Sequence, residues 1–202
     1  MRLILASAST RRAELLAAAG FSFETLVVEI DEHARTEELP QEYVRRLARE
    51  KSAAALAELG VRSPDVAADV VVLGADTTVV VDGLILGKPT DDDDARAMLR
   101  RLSGRRHEVM TGVSVRAGSD EVGSVVVTTV EFAALSDEDI AWYVASAEGR
   151  DKAGGYAIQG FASRFIPRIQ GSYSNVVGLP VAAVHALLHL IASGRRSGYS
   201  ER

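Results

Sequence analysis

Two hydrophobic periods alternate along this chain. Leu3-Ile4-Leu5-Ala6 is a short apolar run that predicts a strand. Small hydroxyl residues follow, then Leu15, Leu16 and Ala19 at helical spacing, which predicts a helix over 10–19 closed by Gly20. Phe23 to Ile30 alternates well enough for a second strand and leads into Asp31-Glu32-His33. Pro40 opens a long helix that runs to about Gly60, with an apolar stripe of Val44, Leu47, Ala48, Ala55, Leu56 and Leu59. Lys51 falls on that stripe, so its ammonium must either snorkel out or point into a cleft.

Val70 to Leu73 predicts a buried strand, and Val79 to Leu86 predicts a hairpin, because Asp82-Gly83 suits a two-residue type I′ turn. Counting back from that turn sets Thr77 opposite Lys88 and brings Asp76 near Lys88. Thr90 is the expected cap of a helix through Asp91–Asp94 to Leu102. His107 to Arg116 and Gly123 to Phe132 predict a second hairpin, with Ala117–Glu121 as its loop. Ser136 to Asp139 has the form of a capped helix start, with the helix ending near Ala147. Residues 164–170 read as a strand, Gly171 to Pro180 as a loop, and Pro180 as the start of the last helix. The class is α/β with a mixed, twisted sheet and flanking helices. We expect one domain over 1–194 and a loose polar tail over 195–202.

The chain has 202 residues, with 28 acidic and 23 basic side chains and a formal charge of −5, which argues against electrostatic binding to a nucleic-acid polymer. With no cysteine, disulfides, thiolate metal sites and cysteine nucleophiles are excluded. Nothing reads as a signal peptide or a membrane span, so a cytoplasmic location is the expectation.

Candidate chemistry starts at the first helix. Ser9 or Thr10 is a good cap, yet Arg11 and Arg12 occupy the first turn, where cations oppose the helix dipole. An anion would reverse that cost, so a phosphate site is one reading; arginines splayed into solvent are the other. Asp76 lies in Leu73-Gly74-Ala75-Asp76-Thr77-Thr78, among valines where a carboxylate is costly unless paired or metal-bound. A turn at a strand end is its alternative. Gly83 to Lys88 is one residue short of a Walker A loop and has Pro89 where a magnesium-binding hydroxyl belongs, so a P-loop is excluded. His185 and His189 have zinc-ligand spacing on an otherwise apolar helix, and packing or surface roles suit them better. The chemistry is then built from Arg11, Arg12, Lys51 and Lys88 as cations and Asp76 as a base, with Glu32 helping Asp76 to hold a metal. That set suits phosphoanhydride hydrolysis.

These residues resemble the Maf family over nearly the whole chain. The likeness lies in Ser7-Ala8-Ser9-Thr10-Arg11-Arg12-Ala13-Glu14-Leu15-Leu16, Arg46-Leu47-Ala48-Arg49-Glu50-Lys51, Gly74-Ala75-Asp76-Thr77 and Leu86-Gly87-Lys88-Pro89. It continues through Leu102-Ser103-Gly104, Thr111-Gly112-Val113, Asp151 to Gly160 and Gly171 to Pro180. Thr10 stands where proline is common in the family. The resemblance implies an inosine-triphosphatase-like, two-lobed architecture with a central cleft. It also implies cleavage of nucleoside triphosphates between the α and β phosphates with a divalent metal, Mg or Mn, and a homodimer as the family's expectation. Asp76 is then the proton acceptor, and Ser7, Arg12, Lys51 and Lys88 handle phosphate. Arg11, Thr77 and Gln159 match the subgroup acting on dTTP and UTP, and a glutamine amide can pair with a pyrimidine edge. The rival from another class is a regulatory nucleotide-binding protein acting in septum control through a partner.

Overall fold

The computed structural model describes residues 2–62 and 70–194, with backbone only at Arg62. The tail expected over 195–202 lies outside the described residues. Strand β1 (Arg2–Ala6) leads into helix α1 (Thr10–Ala18), and β2 (Phe23–Thr25) follows. Helix α2 (Pro40–Arg62) precedes the hairpin of β3 (Val70–Val81) and β4 (Leu84–Leu86). Next come α3 (Asp92–Leu102), β5 (Arg106–Ala117), β6 (Asp120–Glu131) and α4 (Asp137–Ala145). The chain closes with β7 (Arg168–Gln170), α5 (Tyr173–Val177) and α6 (Val181–Ala192). The sheet order is β2-β1-β3-β5-β6-β7, with β4 paired to β3. It is mixed: β1 pairs in parallel with β2 and β3, whereas β3/β4 and β6/β7 are antiparallel. Among the described residues no helix is long and apolar enough to cross a membrane.

Two compact units divide the chain. One comprises residues up to Asp76, Thr111–Val126 and the chain from Gly178; the other is Thr77–Met110 with Val127–Val177. The first unit's core gathers Leu3, Leu5, Leu16, Leu73, Val113, Leu179 and Val184. Glycines let α2 lie directly on its strands. A Cβ on Gly74 would meet the Ala48 carbonyl oxygen at 2.2 Å, and one on Gly112 would meet that of Val44 at 2.1 Å. In the second unit, α3 packs on α4, and His107, Phe132 and Tyr156 form a buried edge-to-face cluster.

Several expectations shift. The strand from Phe23 ends at Thr25, because β1 ends at Ala6 and the segment's last bond to it, Leu26 N–H to the Leu5 carbonyl, leaves nothing further to pair with. Val70–Leu73 and Val79–Val81 are one continuous strand, which places Asp76 inside β3 and not at a turn. The Asp82-Gly83 turn has both φ angles positive and pairs Val81 with Leu84, as the Asp-Gly signal predicts. The pairing stops at Val79–Leu86, however, so Thr77 and Lys88 are not ladder partners; the Gly87 carbonyl instead accepts from Gly154 N–H. Asp91, not Thr90, caps α3, accepting from Asp94 N–H at 2.8 Å while Asp94 reaches back to Thr90 N–H. Ser136 and Asp139 form the expected capping box. The segment expected as a loop after Gly171 contains α5, where Asn175 donates to the Val109 carbonyl and to Thr128 Oγ1.

Candidate functional site

In the first unit Ser7, Arg12, Glu32, Lys51 and Asp76 come together. Ser7 follows the last residue of β1. Its Oγ accepts from Ser9 N–H at 3.2 Å and from Arg12 Nη1 at 3.1 Å. With both lone pairs occupied, the hydroxyl's remaining capacity is as a donor. Ser9 is the residue that caps α1, although its side chain makes no cap bond. Arg12 does not splay into solvent: it is buried, and its Nε donates to the Gly178 carbonyl at 2.8 Å. Burial lowers the Arg12 pKa, opposed by the charges of Asp76 and Glu32, and a guanidinium keeps its proton through such a shift. Arg11 sits beside it on α1, half-buried.

Helix α2 and strand β3 meet at the central pair. Lys51, predicted either to snorkel or to enter a cleft, points inward. Its Nζ lies 2.7 Å from Asp76 Oδ1 and 2.6 Å from Glu32 Oε1, so one ammonium joins two carboxylates. Gly74 is on the same face of β3 as Asp76 and permits the close approach of α2 that brings Lys51 into reach. Burial raises the Asp76 pKa above the usual aspartate value, while Lys51 and Arg12 pull the other way.

Glu32 belongs to a stretch without regular structure, and α2 holds that stretch in place. Tyr43 Oη donates to the Glu32 carbonyl at 3.0 Å, and Arg46 Nη2 donates to the His33 carbonyl at 3.1 Å. The Arg46 fork also grips Glu38 through Nε at 2.6 Å and Nη2 at 2.7 Å. That grip holds the Glu38 carboxyl down to about 2. Burial, with Asp76 and Glu32 nearby, pushes the Tyr43 phenol up to about 12. Sequence reasoning missed Tyr43, Glu38 and Gly178. Its available signal was the i,i+3 and i,i+4 spacing of Tyr43, Arg46 and Glu50 on one helix face.

Thr77, Lys88 and Gln159 belong to the second unit. Thr77 follows Asp76 along β3, Lys88 is exposed after β4, and Gln159 is exposed two residues before a 3-10 turn at Phe161–Phe165. His185 and His189 stack edge to face on α6 at 4.5 Å, and no group of three or more metal-ligating side chains occurs among the described residues.

A mixed α/β sheet with flanking helices is the fold of the Staphylococcus aureus Ham1 protein, which matches 96% of this chain and 99% of its own at a TM-score of 0.50. Identity to Ham1 is 14%, so that likeness concerns fold alone. The Maf-like protein model matches residues 2–191, and the chain belongs to the Maf family. A dTTP/UTP pyrophosphatase of Anaeromyxobacter dehalogenans is 48% identical, covering 98% of this chain and 95% of the relative. The dTTP/UTP pyrophosphatase of Escherichia coli K12 is 49% identical, covering 92% and 91%.

Proposed function

We propose that this chain hydrolyses nucleoside triphosphates, dTTP and UTP foremost, to the nucleoside monophosphate and pyrophosphate, clearing unwanted or excess nucleotides. Relatives named for that activity share nearly half its residues over almost its full length. The observation that carries the chemistry is Asp76, a buried acid paired with Lys51 and lying in the field of Arg12.

In this reading Asp76 takes a proton from water as the water oxygen bonds to the α phosphorus. The bridging bond to the β phosphate breaks and pyrophosphate leaves. Before a cation binds, burial raises the Asp76 pKa, which favours proton uptake over that of an ordinary aspartate. Arg12 and Lys51 offset charge on the triphosphate, and the Ser7 hydroxyl donates to a phosphate oxygen. Lys88 joins them as a phosphate ligand. Arg11, Thr77 and Gln159 select the base.

Glu32 and Asp76 would hold a divalent cation, Mg or Mn. The fit rests on two hard oxygen donors that already share one cation, the Lys51 ammonium. Magnesium is usually bound through one or two carboxylates, with phosphates and waters completing its shell. Such an ion supplies charge neutralisation and polarises phosphoryl oxygens. The substrate pool sets a cytoplasmic location.

Purified protein with Mg or Mn and a panel of nucleotides tests the reading. Pyrophosphate release, greatest with dTTP and UTP, is expected. Orthophosphate as the product, or no turnover on any nucleotide, would overturn it.

A further inference from the structure

Gln159 is exposed, and the segment around it is pinned on both sides by two side chains that no proposed step uses. Two residues before it, Ala157 N–H donates to Tyr143 Oη at 3.0 Å. Two residues after it, Phe161 N–H donates to Glu148 Oε1 at 2.9 Å, with Ala162 N–H a longer 3.4 Å from Oε2. The two anchors are joined, because Tyr143 Oη donates to Glu148 Oε2 at 2.9 Å. Lys152 Nζ in turn holds the Glu148 carbonyl at 2.7 Å. Tyr143 itself is 1% exposed within α4, and Glu148 lies in the turn that follows that helix, so the hub stands outside the segment it holds.

Gly160 completes the arrangement. A Cβ there would lie 1.8 Å from Glu148 Oε1, so the carboxylate occupies the space a side chain would take. A buried hydroxyl and a carboxylate that both spend their bonding on backbone N–H groups fix a peptide path. The residue in the middle of that path inherits the fixed position.

We propose that Tyr143 and Glu148 are positioning residues for base selection, holding the backbone on either side of Gln159 so that its amide meets the pyrimidine edge at a set place. This rests on the assignment of Gln159 to base recognition given above. A base-reading amide that is mispositioned loses its discrimination while phosphate chemistry elsewhere continues.

The test compares kcat/KM for UTP with that for ATP in the intact protein, its Gln159→Ala variant, Tyr143→Phe, and the double variant. Hydrogen exchange over residues 157–162 is measured in parallel. We expect Tyr143→Phe to lower the UTP-over-ATP ratio about fivefold, in line with a lost positioning hydrogen bond. We also expect faster exchange in that segment and no further loss of the ratio when Gln159→Ala is added. Glu148→Gln keeps one acceptor oxygen and should show a smaller shift of the same sign. Should Tyr143→Phe fold poorly, Gly160→Ala, which displaces the Glu148 carboxylate, stands in for it, with the same lower ratio and faster exchange expected. A ratio that collapses in Gln159→Ala but holds in all three hub variants overturns the proposal alone. A ratio unmoved by Gln159→Ala overturns the recognition role and this proposal together.

Discussion

Lys51 and Asp76 form a buried ion pair, with Nζ 2.7 Å from Oδ1 and each side chain 11% exposed. For Asp76 the cost of burial outweighs the attraction, since its pKa is raised despite two neighbouring cations. An acid whose folded-state pKa exceeds its unfolded value contributes most stability below the unfolded value, and that contribution is lost as pH rises through the folded pKa. In its ionised form Asp76 therefore opposes folding. Asp76→Asn should release no measurable pyrophosphate, a loss of at least about 100-fold, and nucleotide binding should stay detectable. The same variant should be no less stable than the intact protein at pH 7, because the neutral amide escapes the cost of burying a charge while Lys51 keeps Glu32 as its partner. Denaturant unfolding checks the second half; a less stable variant contradicts the electrostatic account.

Removing the partner should act in the opposite direction. Lys51→Met leaves the Asp76 carboxylate buried beside Arg12, and breaking a buried pair from one side costs roughly 3 kcal/mol or more. The loss should shrink in acid, where Asp76 takes up a proton and needs no partner. Unfolding curves for the intact protein and Lys51→Met at pH 7 and pH 4.5 would show this; an equal loss at both pH values would assign the effect to packing of the lysine stem.

Gly74 brings α2 and β3 into contact, so Gly74→Ala tests the placement of the pair without touching either charge. The added carbon would lie 2.2 Å from the Ala48 carbonyl oxygen and 2.8 Å from Ser52 N, both backbone atoms that cannot rotate away. The helix must move off the strand, and overpacking of this kind costs about 1–3 kcal/mol. Because Lys51 lies between Ala48 and Ser52 in sequence, turnover should fall more steeply than stability. Gly60→Ala is the control: nothing lies within 4 Å of its Cβ, and its helical position favours alanine by up to about 1 kcal/mol. Normal turnover in Gly74→Ala would show that the approach is not what sets the pair.

Much of this was legible in the sequence where local chemistry decides. The Asp82-Gly83 turn and the Ser136–Asp139 capping box each follow from a residue whose alternatives are costly, whereas Lys51 stands out as misplaced on an apolar stripe whose spacing leaves its direction open. The reading failed where a partner distant in sequence decides. Phe23 to Ile30 alternates like a strand, but β1 is too short to pair with all of it. Gly74 is a single glycine in a valine run, and such a residue carries no sign of the helix that crosses it. The site divides in the same way. Asp76 and Lys51 stood out as charges among apolar residues. Tyr43 and Arg46 act on the backbone of Glu32 and His33; their helical spacing puts them on one face but does not show which distant carbonyls they reach.

That backbone grip yields its own expectation. Arg46→Met removes the bonds to the His33 carbonyl and to Glu38, and Tyr43→Phe removes the bond to the Glu32 carbonyl. Either should let residues 31–39 exchange amide hydrogens faster. If Glu32 helps hold the metal, each should also raise the Mg concentration for half-maximal turnover about tenfold, the usual scale for a lost outer contact. Arg46→Lys keeps the charge without the fork and should fall closer to the methionine variant than to the intact protein. Unchanged Mg dependence alongside faster exchange would separate the loop from the metal.

His107 predicts how the second unit responds to acid. It is 2% exposed, its Nε2 is 2.7 Å from Tyr156 Oη, and burial pushes its pKa down to about 4. The unfolded chain binds a proton near pH 6.5, so between those values it holds more protons than the folded one, and stability falls as pH drops. From about pH 7.5 to pH 5 the loss from this group alone should be about 2 kcal/mol. His107→Gln keeps an amide within reach of Tyr156 and removes the titration. It should be less stable than the intact protein at pH 7.5 through weaker ring packing, yet lose less on acidification. The ring can also be followed directly by NMR. A His107 that titrates near 6.5 in the folded protein would mean that the cluster with Phe132 and Tyr156 admits the charged form, and the acid sensitivity would then have to arise elsewhere.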